Sequence, residues 1–115
     1  MKKYIEEISL LLLRGKDGKS VKALEDVKKR FRDEYKILFL NGIIQYLKKG
    51  YEDCLLSVVR EMDAKELKKI KKEITKIQRN MKFDENMTRF NKNYLSNWKR
   101  LIDKFISLKE GKVDG

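Results

Sequence analysis

Apolar residues in this chain recur at steps of three and four along almost its whole length, and no proline interrupts any of the runs. A period near 3.6 puts such residues on one face of an α-helix, whereas a half-buried strand needs alternation by two. Lys3 to Arg14 places Ile5, Ile8 and Leu10 to Leu13 on a broad apolar face. Val21, Leu24, Val27 and Phe31 mark a second helix, with Ser20 as its expected N-cap. Between the two, Gly15-Lys16-Asp17-Gly18 reads as the turn, because glycine tolerates left-handed backbone. From Tyr35 to Lys49 apolar residues cover nearly every side, so this helix is expected to be the central, most buried one. Gly42 inside it disfavours helix relative to alanine, which suggests that another backbone packs close there.

Gly50 stops that helix, and a short one from Tyr51 to Met62 follows, carrying Leu55, Leu56, Val58 and Val59. A strand is the rival for this stretch, but Glu52, Asp53, Arg60 and Glu61 bracket it without turn residues. Asp63-Ala64-Lys65-Glu66 matches a capping box and opens a helix over 64–83, with Leu67, Ile70, Ile74, Ile77 and Met81 in a 3-4-3-4 rhythm. After a hinge-like connection at Asn80 to Asn86, a last helix from Asn86 to Lys109 repeats the rhythm through Met87, Phe90, Tyr94, Trp98, Leu101, Phe105 and Leu108. The expectation is an all-α, compact bundle of five to six helices. With 115 residues it forms a single domain over 1–110, followed by a frayed tail at 111–115.

Composition excludes several chemistries. Histidine is absent and Cys54 is the one cysteine, so neither a Ser-His-Asp nor a Cys-His catalytic set can be built, nor a disulfide within the chain. Cys54 reads as a small buried apolar residue. A zinc site would have to be made from carboxylates alone, and no metal site or cofactor is expected. The pairs Glu6-Glu7, Asp33-Glu34 and Asp84-Glu85 are adjacent, so on a helix they diverge by about 100° and cannot share a substrate. Gly15 to Ser20 ends in Gly-Lys-Ser but lacks both the preceding strand and the correctly spaced first glycine of a phosphate loop. The chain is expected not to be an enzyme and to take no small-molecule substrate.

Charge points elsewhere. Twenty-nine Lys and Arg against eighteen Asp and Glu give +11. More than half of that excess lies in residues 64–83, with eight basic and two acidic side chains. On the helical wheel Lys65, Lys68, Lys69, Lys72, Lys76 and Arg79 fall together opposite the apolar stripe, while Glu66 and Glu73 lie on its flanks. A stripe of six cations can track a phosphate backbone, so these are the candidate nucleic-acid-binding residues. The bland alternative is a solvated face in a lysine-rich chain, since lysine outnumbers arginine 22 to 7. Phe90, Tyr94, Trp98, Leu101 and Phe105 form a second candidate, an apolar seam facing either the core or a protein partner. The longest apolar stretch, Ile37 to Ile44, is too short to cross a membrane, and Glu6 and Glu7 stand where a signal peptide needs its apolar run. With one thiol, the expected location is cytoplasmic.

The order Ile8–Leu13, Val21–Phe31 and Phe39-Leu40-Asn41-Gly42-Ile43-Ile44-Gln45-Tyr46-Leu47-Lys48, closed by Asn80 and Asn86 before Phe90–Leu101, resembles the C-terminal helical domain of bacterial DNA polymerase III clamp-loader subunits, especially delta-prime. The similarity spans about residues 5–108. Lys48-Lys49 stands where that family carries Arg-Asp, and the ATPase and lid domains are absent. The resemblance implies a collar-type domain that assembles with other subunits of a DNA replication clamp loader. Two further expectations stay open: a basic helical nucleic-acid binder such as the small helical subunits of type III CRISPR effectors, and a protein–protein adaptor using the aromatic seam.

Overall fold

The computed structural model describes residues 2–15, 17–50, 55–81 and 85–111. Among them are six helices and no strand: α1 (Lys2–Leu13), α2 (Asp17–Lys28), α3 (Glu34–Lys49), α4 (Leu55–Val59), α5 (Ala64–Arg79) and α6 (Glu85–Lys109). The molecule is an all-α bundle. Residues Tyr51 to Cys54, the 82–84 connection and the 112–115 tail lie outside the described residues, and with them the readings placed on Cys54, Asp84 and the tail.

Local chemistry sets the helix ends. Gly15, Gly50 and Gly111 take φ near +70°, which releases α1, α3 and α6 into left-handed turns that a Cβ would strain. At the end of α3 the Gly50 N–H donates to the Tyr46 carbonyl at 2.8 Å. Gly18, read from sequence as part of the turn, lies inside α2, which starts at Asp17. Ser20 is therefore not the N-cap; it sits fully buried within the helix. The cap predicted for α5 is present. The Asp63 carboxylate accepts from the Glu66 N–H at 2.8 Å, with Asp63 itself in extended backbone.

The hub is α6, packed against α1, α3 and α5, and α3 shares the centre by packing against α2, α4 and α6. Its 25 residues run for about 37 Å at 1.5 Å each, close to the 42 Å long axis of the molecule. Trp98, Leu101, Ile102 and Phe105 from α6 meet Phe39, Leu40 and Ile43 from α3 and Ile5, Ile8 and Leu12 from α1 in one continuous core. Each such side chain contributes about 1.5–3 kcal/mol on leaving water. Gly42 faces outward, with nothing within 4 Å of where its Cβ would stand, so no backbone packs against it. The Leu55–Val59 stretch is helical, with Leu56 and Val59 buried. On α5, Leu67 and Ile74 are buried, but Ile77 at the end of the rhythm is half exposed.

Candidate nucleic-acid interface

The α5 sequence is amphipathic in a simple way: Leu67 and Ile74 turn inward, and six cations turn outward. Lys65, Lys68, Lys69, Lys72, Lys76 and Arg79 are all exposed, as their wheel positions require. Their partners differ. Lys68 Nζ meets Glu110, just past the end of α6, at 2.8 Å, and Lys76 lies 3.7 Å from Glu73 one turn back. Lys65, Lys69, Lys72 and Arg79 have no ion pair among the described residues. Fixed positive charge without a local counter-charge repels itself, and a polyanion relieves that repulsion.

Folding adds what one helix cannot display. α5 and α6 pack side by side and leave between them a groove of about 700 Å³. Its α5 wall consists of Lys68, Lys71, Lys72, Lys76 and Arg79, with Thr75 among them. The opposite wall carries Asp103 and Ser107 of α6 and Glu110 just past its end, and Ile106 supplies an apolar floor. Lys71 is ion-paired with Asp103 across the groove. Beyond the Arg79 end, Gln78 fixes the spacing of the two helices. Its amide donates to the Lys92 carbonyl at 2.8 Å and to Ser96 Oγ at 3.0 Å, while its oxygen accepts from Lys99 at 3.1 Å. Sequence reasoning missed Lys71, Asp103 and Glu110 as parts of the site. The Lys71 and Asp103 pair is separated by 32 residues, so only the helix-to-helix register brings it together.

The aromatic seam has a different fate. Trp98, Leu101 and Phe105 are buried in this chain's own core, so of the two surroundings expected for the seam these three take the core. Phe90 and Tyr94 are half-buried: Phe90 meets Tyr35 edge-on at 6.3 Å, and Tyr94 packs against the core. None of the three buried residues offers a face to a base or to another protein.

Elsewhere, Lys36 on α3 is held above its ordinary pKa by the hydrogen bond to Asp33, at 2.9 Å, despite partial desolvation. Lys36 also lies over the Phe31 ring, 4.9 Å from its centroid. Among the described residues no group of three His, Cys, Asp or Glu side chains is placed to hold a metal ion, and no helix is long and apolar enough to cross a membrane. No protein-family model, curated protein or solved structure matches the chain.

Proposed function

We propose that this chain is a non-catalytic, helical nucleic-acid-binding module that holds a sugar-phosphate backbone along α5. The observation that carries the reading is the arrangement of charge: six exposed cations on one helix face, four of them without an ion pair among the described residues. Counterion release on binding a polyanion supplies affinity to such a face without any base-specific contact. Lysine dominates it over arginine, which suits point-charge contact with phosphates better than bidentate reading of guanine. A cytoplasmic setting, where nucleic acid is at hand, belongs to the same proposal.

The assembly role implied by the resemblance to clamp-loader collar domains has less to work with. The aromatic seam, the candidate surface for a protein partner, has Trp98, Leu101 and Phe105 in this chain's own core. The basic face therefore carries the proposal. The test is fluorescence anisotropy with labelled 20-nucleotide DNA and RNA, single-stranded and paired, in a low-salt buffer. Charge reversal at Lys65, Lys69 and Lys72 is expected to abolish binding, while reversal at Lys22, Lys29 and Arg32 on the far elements leaves most of it. Equal losses from both sets would mean diffuse attraction, and no binding by the native chain would end the proposal.

A further inference from the structure

The two walls of the α5–α6 groove do not carry the same charge. The α5 wall presents Lys72, Lys76 and Arg79 beside Lys68 and Lys71, and the opposite wall presents Asp103 of α6 and Glu110 just past its end, which ion-pair with Lys71 and Lys68, above the apolar floor of Ile106. Resting on the backbone-binding reading above, we infer that the groove takes a single strand of nucleic acid, phosphates against α5 and bases toward α6, and that Asp103 and Glu110 select against a duplex.

Charge order discriminates between the two forms. A single strand has an anionic edge and a neutral one, and the groove has a cationic wall and an acidic, partly apolar one. Laid in one orientation, the two match along their length. A duplex carries a phosphate row on each side of either of its grooves. Wherever one row meets α5, the other approaches α6 and faces the carboxylates. Like charges set against one another across an interface are a strong means of rejecting a wrong partner.

The α6 wall offers bases something as well. Asp103 is half exposed in its ion pair with Lys71, and a carboxylate has about four acceptor positions. It can hold the lysine and still accept from an exocyclic amine, as carboxylates do from cytosine N4. Ile106 and the Thr75 methyl give the base faces an apolar surface to rest on. DNA and RNA strands share this chemistry, and both are probed.

The experiment measures anisotropy at one fixed salt concentration with a 20-nucleotide strand, as DNA and as RNA, and with the blunt duplex of the same sequence. The native chain is expected to bind the strand at least about tenfold more tightly than the duplex. D103N with E110Q is expected to tighten duplex binding more than strand binding and so reduce the ratio severalfold. D103N alone is the second variant: the Asp103 side chain is half exposed, and its loss leaves the core untouched. Photocrosslinks from 5-iodouracil in the strand are expected on the peptide spanning 105–109 rather than on 65–69. A duplex bound as tightly as the strand, or a ratio unmoved by both variants, would overturn the inference while leaving backbone binding intact. No binding of either form would overturn the underlying proposal, and this inference with it.

Discussion

Trp98 of α6 meets Phe39 of α3 edge to face, ring centroids 4.9 Å apart and planes at 82°. Both rings are almost wholly enclosed. This contact joins the hub helix to the apolar α3, and edge-on aromatic pairs add about 0.5–1.5 kcal/mol beyond the area they bury. Trp98→Ala is expected to cost about 3–5 kcal/mol. Urea denaturation followed by circular dichroism checks it. A loss under 1 kcal/mol, with an assembly state altered instead, would place Trp98 on an interface rather than in a core.

Gly42 sits in the middle of α3 at ordinary negative φ, exposed, with open space where a Cβ would project. Nothing in the packing requires a glycine. Gly42→Ala is therefore expected to raise stability by about 0.5–1 kcal/mol by removing backbone freedom from the unfolded chain. Thermal unfolding reads this directly. A fall in melting temperature would mean that a neighbouring backbone does approach.

Asn97 is buried beside Trp98, and its side-chain Nδ2 has no hydrogen-bond acceptor among the described residues. A buried donor left without a partner costs about 1–3 kcal/mol in lost hydration. Asn97→Leu, close in size and apolar, is expected to raise stability by about 1–2 kcal/mol. Destabilisation by that substitution would show that the amide is satisfied in solution.

Glu25 on α2 is held below the ordinary glutamate value of 4.5, first by the hydrogen bond from Lys48 and then by its charge. The nitrogen stands 2.8 Å from the carboxylate. A carboxylate with a lowered folded pKa stabilises the native state above its unfolded value, and that contribution is lost as pH falls through the folded one. Glu25→Gln is thus expected to lower stability slightly near neutrality, the effect being small because the pair is well exposed, and to converge with the native protein as pH falls below about 4.5. Melting temperatures between pH 3 and 7 test it, and parallel curves for the two proteins would contradict it.

Much of the fold was legible because its signals are local. Asp63 and Glu66 stand three residues apart, as a cap requires, and the cap is there. Gly50 ends α3 where a left-handed residue was expected. The start of α2 was misplaced because two glycines flank Lys16-Asp17, and composition does not say which turns; only Gly15 takes positive φ. Apolar residues around all sides of Tyr35–Lys49 suggested a central helix; Leu38 on it is nevertheless half exposed, and the longer α6 shares the centre by packing against α1, α3 and α5. The outward face of α5 could be read from one helical wheel. The groove beside it could not, since Lys71 with Asp103 and Lys68 with Glu110 depend on the register between two helices.

The most direct measurement of the central claim is the salt dependence of binding by the native chain, as log Kobs against log salt concentration. If the six cations of α5 engage phosphates, the slope is expected at about −4.2 to −5.4, and charge-neutral replacement of Lys72 and Lys76 is expected to bring it closer to zero by about 1.4 to 1.8. A slope near zero, or one that those replacements leave unchanged, would contradict the assignment of α5 as the surface that holds the nucleic-acid backbone.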